Sequence, residues 1–296
     1  MLTRLTDRVS FLPGGVNIGV LRLDDGHCAL IDTGLNDSSA KKAIKAVREE
    51  LGSEIVALIT THGHADHFGG NATVVKRTGA QVHAPAFDEA ILRYPILQPA
   101  LLYGGADPID SMRTNFMLAD ASPVDEIYGA GPVQISGIAV DAISLAGHSI
   151  NQMGLLVDGV FFAADVVLPE TILEKYRIPY LYSVTDHLAA LEVCDSVDCT
   201  VVVPGHGPLL ESITELRDRN RSVVLETAEI ILDFAIAPRT SGEILTRVLD
   251  GRGANVSDAP GFYLLQPTIS AFLSHLSRTG DLVHTIAENR STWLRA

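Results

Sequence analysis

The chain has 296 residues, 47% of them hydrophobic and 20% charged, and 36 acidic against 22 basic residues give it a net charge of −14. This length and composition allow a large buried core and two unequal domains. The acidity argues against general nucleic-acid binding, which relies on basic surface. No apolar run approaches the roughly 20 residues of a membrane-spanning helix, and no opening segment reads as a secretory signal.

Three cysteines, Cys28, Cys194 and Cys199, occur in the chain without a spacing pattern. An unpatterned odd number of cysteines argues against a disulfide framework and for a reducing compartment. We therefore expect a cytoplasmic protein whose cysteines are free thiols.

The first two predicted strands each run into a turn rich in polar side chains. Residues 28–30 lead into the turn 31–34, Ile-Asp-Thr-Gly, and the apolar run 55–59 predicts a buried strand that leads into His62-Gly63-His64-Ala65-Asp66-His67. Imidazole suits zinc and iron, and carboxylate suits harder divalent ions, so this mixture indicates a catalytic metal site. The alternative is a polar turn with incidental histidines, and three histidines within six residues argue against it.

Three later strands also end on residues that can ligate a metal. His148 follows the predicted strand 139–143, Asp165 ends the apolar run 161–164, and His206 follows the strand 201–203 between two glycines. Each signal is weak alone, because strand-end aspartates are usually turn residues and glycine-flanked histidines are often in loops. In this order, after the first cluster, they are strong together.

A long segment rich in Pro, Gly, Leu and Met, residues 94–128, separates the first cluster from the next strand. Long irregular segments in compact domains are often lids or binding loops, and the apolar character of this one favours an acyl or other apolar part of a substrate. A surface excursion that packs on the core is an equal alternative. Tyr176, Tyr180 and Tyr182 are further candidates for lining a cleft.

The pattern becomes mainly helical after about residue 210. Apolar residues recur at helical spacing in 213–235 and 268–278, and Thr240 with Glu243 predicts a capping box at the start of a helix. Residues 282–286 and 291–295 read as a hairpin. We therefore predict two domains, 1–210 and 211–296.

These motifs together resemble those of the metallo-β-lactamase superfamily over residues 5–210. The resemblance implies an α/β fold, a four-layer αββα sandwich with metals at one edge. The three helices and hairpin of the C-terminal segment resemble a winged-helix module, which some hydrolases of the superfamily carry. We therefore expect a small, mainly helical, winged-helix-like second domain.

The resemblance also implies two divalent metal ions, with zinc favoured and iron or manganese as alternatives. Seven ligands of His and Asp type are implied: His62, His64 and His148 at one ion, Asp66, His67 and His206 at the other, and Asp165 as the bridge. Asp32 would orient the histidine turn by hydrogen bonds instead of ligating. No cysteine falls in a ligand motif, so the set resembles the general hydrolase branch (thioesterases, lactonases, hydroxyacylglutathione hydrolases and nucleases).

A hydrolase that uses a metal-bridged hydroxide follows from such a site, with a thioester, ester or lactone as substrate and Asp66 orienting the nucleophile or moving its proton. One alternative is a nuclease or phosphodiesterase on the same scaffold, which the acidity weakens. The other is a non-hydrolytic di-iron protein. Relatives of that type often carry a flavin-binding domain, and the C-terminal segment is too short and too helical for one.

The expected partner is a small-molecule substrate, and a homodimer is a further alternative. Residues 211–296 contain nine Lys and Arg against eleven Asp and Glu, so neither nucleic acid nor a membrane is an expected partner.

Overall fold

The computed structural model describes all 296 residues, and its centre is a pair of facing β-sheets. The first sheet has seven strands in chain order: β1 (Thr3–Arg4), β2 (Val9–Leu12), β3 (Ile18–Arg22), β4 (Cys28–Ile31), β5 (Ile55–Ile59), β6 (Gln81–Pro85) and β7 (Glu126–Tyr128). Strands β1 to β4 pair antiparallel, and β4 to β7 pair parallel.

The second sheet has five strands in the order β12-β11-β10-β9-β8. They are β8 (Gly131–Ile135), β9 (Ile138–Ser144), β10 (Met153–Val157), β11 (Val160–Ala164) and β12 (Val201–Pro204). All neighbours are antiparallel except β11 and β12, which are parallel. The strands predicted at 28–30, 55–59, 139–143, 161–164 and 201–203 are all present, with ends that shift by one residue at most.

Helices lie on the outer faces of both sheets and continue into the C-terminal part of the chain. They are α1 (Asp37–Ala46), α2 (Ala65–Phe68), α3 (Asn71–Thr78), α4 (Asp88–Arg93), α5 (Leu97–Leu102), α6 (Glu170–Tyr176), α7 (Val184–Val193), α8 (Thr214–Phe234), α9 (Ser241–Arg252) and α10 (Ala259–Arg278). A π-helical turn extends α1 over Val47–Leu51, and 3₁₀ turns occur at Asp110–Met112 and Cys194–Ser196.

Successive side chains of the central strands point to opposite faces of the sheet, so each strand contributes to the core on either side of it. Ala29 and Ile31 of β4 belong to the core between the two sheets, and Cys28 and Leu30 belong to the core beneath α1 and α3. Strands buried on both faces read as nearly continuous apolar runs, which is how they appear in the sequence. A separate core packs α7 on the outer face of the second sheet. The predicted four-layer αββα sandwich is therefore confirmed.

The C-terminal part forms three helices, α8 to α10, and a hairpin of β13 (Leu282–Ala287) and β14 (Arg290–Arg295). Thr240 and Glu243 form the predicted capping box of α9. Helix α10 begins nine residues before Thr268, the predicted start. Asp258 caps the true start, and the buried face of the helix includes Leu265, on the N-terminal side of Pro267. The packing of that face offsets the loss of the backbone hydrogen bond that Pro267 cannot donate. The winged-helix resemblance stays a prediction.

The C-terminal helices do not pack among themselves alone. Ile178, Leu181 and Val184, which lie before and at the start of α7, are buried in one cluster with apolar residues of α8, α9 and α10. The predicted boundary at residue 210 is therefore crossed by a continuous core, and the division into two domains stays a prediction. None of the helices combines the length and apolarity that crossing a bilayer requires.

Candidate metal centre

Five strands point their carboxyl ends at one edge of the sandwich, and each is followed by a polar residue of the cluster. Asp32 follows β4, the turn 62–67 follows β5, and His148 lies in the loop after β9. Asp165 follows β11 directly, and His206 lies two residues after β12. The structure therefore brings together all eight side chains that the sequence singled out.

Three histidines form the first donor group. Nδ1 of His64 lies 3.1 Å from Nε2 of His62 and 2.9 Å from Nε2 of His148. Nitrogens of a tetrahedral zinc site, each 2.0–2.1 Å from the ion, are separated by about 3.3 Å. Neighbouring ring nitrogens in this group are therefore spaced much as three ligands of one ion.

The second donor group consists of Asp66, His67 and His206, whose ligand atoms lie within 4.8 Å of one another. Asp165 lies between the two groups. Its Oδ1 is 3.3 Å from Nε2 of His67, and its Oδ2 is 3.3 Å from Nε2 of His206 and 3.5 Å from Nε2 of His148. This carboxylate therefore faces donors of both groups.

Two buried atoms at the centre have no hydrogen-bond partner. They are Nε2 of His67 and Oδ1 of Asp165, which face each other without hydrogen-bond geometry. Buried polar atoms without partners are rare in native proteins, and a metal ion bound between these two atoms would satisfy both. A Cβ on Gly205 would lie 2.0 Å from the same Asp165 oxygen, so only glycine leaves that carboxylate its position. The residues present fit a metal centre.

Electrostatics differ between the two groups. Burial lowers the pKa of His62 well below its usual range, lowers that of His64 to about 4 and lowers that of His148 to about 3. These three imidazoles are neutral at pH 7, and a neutral imidazole is the form that ligates metals.

In the second group, nearby carboxylates favour the protonated form of the histidines. Burial opposes the charged form of His67, but Asp165 and Asp32 outweigh it and raise the pKa of His67 well above its usual value. Burial also opposes the charge on His206, but Asp165 and Asp66 raise its pKa to about 10. Without an ion, these buried carboxylates favour the protonated form of both imidazoles, and metal binding would release the protons.

Asp32 supports the histidine turn by three hydrogen bonds. Its Oδ1 accepts from the backbone N–H of Thr61 at 2.8 Å, and its Oδ2 accepts from the Thr61 hydroxyl at 2.8 Å. Nδ1 of His67 lies 2.7 Å from Oδ2, which leaves Nε2 of His67 turned toward Asp165. Such a partner fixes the orientation of the imidazole.

Asp88 is a supporting residue that the sequence analysis missed. Its side chain is fully buried, its Oδ1 accepts from the N–H of Gly63 at 2.7 Å, and its Oδ2 accepts from the N–H of Asn151 at 2.9 Å. One carboxylate therefore ties the His62–His64 turn to the loop that carries His148. Asp88 comes shortly after β6, so the strand-end pattern used for Asp165 was the available signal.

Two further amides position the ligand loops. Asn17 donates to the carbonyls of Pro204 and Gly207 at 2.9 Å each, which clamps the loop around His206. Gln152 accepts from the N–H of Asp165 at 3.2 Å. Neither residue belongs to a sequence motif, because each acts on a segment that is distant in the chain.

Three cavities reach this cluster. The first, of about 630 Å³, is lined by ligand-type residues of both groups, by the 94–128 segment and by the C-terminal part. The second, of about 760 Å³, shares Asp66, His206 and Phe116 with it. The third, of about 430 Å³, reaches only His64. Tyr176 and Tyr180 line the first cavity and Tyr182 lines the third, as the sequence analysis suggested.

The segment 94–128 is more regular than expected. It contains α5, a 3₁₀ turn and, at its end, β7 of the first sheet. Leu102, Phe116 and Met117 line the first cavity, so the segment forms one of its walls.

Residues 12–206 match the family model of the metallo-beta-lactamase superfamily. The chain belongs to this superfamily. A hydroxyacylglutathione hydrolase of Albidiferax ferrireducens is 31% identical over 97 residues, which are 33% of this chain and 34% of that protein. An atrochrysone carboxyl ACP thioesterase of Passalora fulva is 20% identical over 271 residues, 89% of this chain and 71% of that protein. The chain thus spans about a third of the first of these relatives.

Solved structures show the same fold. A beta-lactamase domain protein from Burkholderia ambifaria superimposes with a TM-score of 0.77 at 17% identity, over 100% of this chain and 93% of that one. A metallo-beta-lactamase family protein from Thermus thermophilus superimposes with a TM-score of 0.71 at 17% identity, over 97% and 98% of the two chains. Both likenesses extend through the C-terminal helices.

Proposed function

We propose that this protein is a metal-dependent hydrolase with a dinuclear centre that cleaves a thioester, ester or lactone. One ion would be held by His62, His64 and His148, the other by Asp66, His67 and His206, and Asp165 would bridge them. The observation that carries the proposal is the overlap of three donor sets, because the set of His62, His67 and Asp165 joins the other two. Zinc is the ion that this His and Asp set favours.

Two divalent ions bound there would supply a nucleophile by lowering the pKa of water and would polarise the substrate carbonyl. Residues of the chain position the ligands and the attacking water. Asp32, Asp88 and Asn17 hold the ligand loops in place by the hydrogen bonds described above. Asp66 lines both larger cavities, with 18% of its side chain exposed, so it can orient the attacking water and take up its proton.

The substrate class is supported by the cavity and by the relatives. The largest apolar surface around the cluster lies in the first cavity, and small-molecule sites are mostly apolar with a few polar groups that fix orientation. Two relatives are named for thioester chemistry, a hydroxyacylglutathione hydrolase and a carrier-protein thioesterase. The net charge of −14 argues against nucleic acid as substrate.

Metal content and a substrate panel test the proposal together. The full chain, loaded with zinc, manganese or iron in separate samples and freed of excess metal, is assayed on a thioester, a lactone, a phosphodiester and a structured RNA. We expect two ions per chain and turnover of the thioester or the lactone. Absence of stoichiometric metal would contradict the centre, and turnover of only the phosphodiester or RNA would contradict the substrate class.

A further inference from the structure

The first cavity has three walls that come from outside the two sheets. Leu102 and Met117 belong to the 94–128 segment, Leu173 belongs to α6, and Leu264 and Leu265 belong to α10. Its floor is the metal cluster, with His64, Asp66, His148, Asp165 and His206. Its volume of about 630 Å³ lies within the 300–1,000 Å³ typical of small-molecule sites.

Charged side chains are confined to the mouth of this cavity. Apart from the cluster itself, the charged lining residues are Glu174, Lys175, Arg177 and Asp258, and all four are exposed. Between the mouth and the floor the lining is mainly aliphatic or aromatic. The Gln98 amide and the Tyr180 hydroxyl are the few polar groups on these walls. A polar substrate group placed there would therefore lose water and gain few partners, whereas an apolar chain would gain from the same burial.

The second cavity offers a different environment on the other side of the cluster. It shares Asp66, His206 and Phe116 with the first. Its other polar and charged lining residues are Asn36, Ser39, Lys42, Lys45, Glu49 and Glu50. A substrate with its scissile bond at the cluster can therefore extend into both cavities. One arm meets mainly apolar walls, and the other meets amide, hydroxyl, ammonium and carboxylate groups.

We propose that the substrate is a thioester with a long apolar acyl chain, bound in the first cavity, and a polar thiol arm in the second. This inference rests on the proposed hydrolase function. In the reaction the oxygen of water joins the acyl carbon and the C–S bond breaks. The thiol leaves with one proton of the water, and the other proton is released to solvent when the product acid ionises. The products are a fatty carboxylate and a polar thiol.

A chain-length series measures the acyl preference. The S-acyl derivatives of N-acetylcysteine, from acetyl to decanoyl, keep one polar anionic thiol and vary only the acyl arm. Each buried CH₂ is expected to raise kcat/KM by about twofold to fourfold, so octanoyl exceeds acetyl by roughly 50-fold or more. S-decyl thioacetate, in which the apolar arm is the thiol, is expected to be a poor substrate.

Binding without turnover provides a second readout. S-alkyl thioethers of N-acetylcysteine lack the scissile carbonyl, and their affinity is measured by calorimetry with and without zinc. Burial of apolar surface makes the heat capacity change of binding more negative, and this change is expected to grow with chain length in both metal states.

Variants locate the acyl arm. Ala254 lines the first cavity on the loop before α10, and Ala254→Trp is expected to lower the octanoyl-to-acetyl ratio of kcat/KM about tenfold by filling it. Leu264→Ala is expected to move the optimum to longer chains. Ala287→Trp makes the same substitution on the exposed hairpin and is the matched control, with an unchanged ratio.

The outcomes separate this inference from the function on which it rests. If a lactone or an ester is cleaved but no thioester of any length is, the proposed function stands and the thioester inference fails; if none of the three is cleaved, the proposed function fails. If thioesters are cleaved but acetyl equals octanoyl, or if S-decyl thioacetate is preferred, the function stands and the acyl assignment is overturned. If octanoyl is preferred and neither Ala254→Trp nor Leu264→Ala alters that preference, the acyl chain binds elsewhere and the assignment to this cavity is overturned.

Discussion

Among single residues, Asp165 occupies the most central position. Its two oxygens face His67, His148 and His206, and burial, which would raise the pKa of its carboxyl, is outweighed by His206 and His67, which lower it well below the usual value. A carboxylate so placed can serve both donor groups at once.

Asp165→Ala is expected to reduce activity more than alanine at any single histidine of the cluster. Its loss should loosen both ions, so the reduction should exceed the roughly 10–100-fold typical of losing an outer hydrogen-bond partner of a metal ligand. Metal content and thioester turnover are measured in parallel, with His148→Ala as the comparison. Retention of both ions at a near-normal rate would show that Asp165 is not the bridge.

Asp88→Ala is expected to weaken metal binding although Asp88 is not a proposed ligand. The substitution leaves the buried N–H of Gly63 without a partner, at about 1–3 kcal/mol, and also removes the acceptor of the half-buried N–H of Asn151. It also unties two ligand loops, so we expect a roughly 10–100-fold loss of metal affinity in chelator competition. Asp88→Asn keeps one acceptor oxygen and should be intermediate. Wild-type affinity with lowered stability alone would contradict this role.

His187 gives the protein a specific dependence of stability on pH. Its side chain is 2% exposed, neither ring nitrogen has a hydrogen-bond partner, and burial lowers its pKa to about 4. Below about pH 6.5 the unfolded chain binds a proton there and the folded chain does not, so the free energy of unfolding falls as the pH drops from 6.5 to 4. Above pH 6.5 the residue is neutral in both states and contributes no slope.

His187→Leu is expected to remove this share of the pH dependence. The slope of unfolding free energy against pH should decrease by up to about 1.4 kcal/mol per pH unit between pH 6.5 and 5. Urea unfolding of the two proteins from pH 7.5 to pH 5 measures it. Identical slopes would mean that His187 takes up its proton in the folded state as readily as in the unfolded one.

Helix α8 connects the C-terminal part to the cavity wall. Oδ1 of Asn220 accepts from the N–H of Leu168 at 2.9 Å, and its Nδ2 donates to the carbonyl of Leu168 at 3.0 Å. Val223, one turn further, packs on Leu168 and Leu173. This helix therefore fixes the segment that leads from Asp165 into the first cavity.

Removal of residues 215–296 is expected to leave both metal sites and to alter substrate handling and solubility. All seven proposed ligands precede the cut, but Ile178, Leu181 and Val184 would lose their buried cover. Asn220→Ala is a milder variant, expected to lower stability by about 1–3 kcal/mol with unchanged metal content. Loss of metal from both the truncated chain and the Asn220→Ala variant would show that the C-terminal part is needed for the metal centre.

For the whole molecule, metal binding and folding should be coupled. The donors come from segments between residues 62 and 206, and no unfolded chain holds them together, so ions that bind the folded state stabilise it. At 100 times the dissociation constant each site contributes about 2.7 kcal/mol. We expect chelation to lower the Tm by several degrees, and zinc to restore it. A Tm that is independent of zinc in the wild type would contradict the coupling.

The sequence by itself determined five of the twelve strands of the two sheets and placed the candidate ligands at their ends. Continuous apolar runs such as 55–59 predict buried strands, and His62, His64, Asp66 and His67 occur within one turn, so their proximity is local and visible in the chain. The strand-end position of His148, Asp165 and His206 allowed the superfamily resemblance, which the match over residues 12–206 confirmed.

Only the tertiary structure decided what supports and surrounds that cluster. Asp88 and Asn17 act on loops 63 and 187 residues away in the chain, and such contacts leave no periodic signal. The sequence marked residues 94–128, Tyr176 and Tyr180 as candidates for a cleft, but it did not show that they meet α10 around one cavity. Local spacing determines which ligands share a turn, whereas the packing of distant segments determines which substrate can reach them.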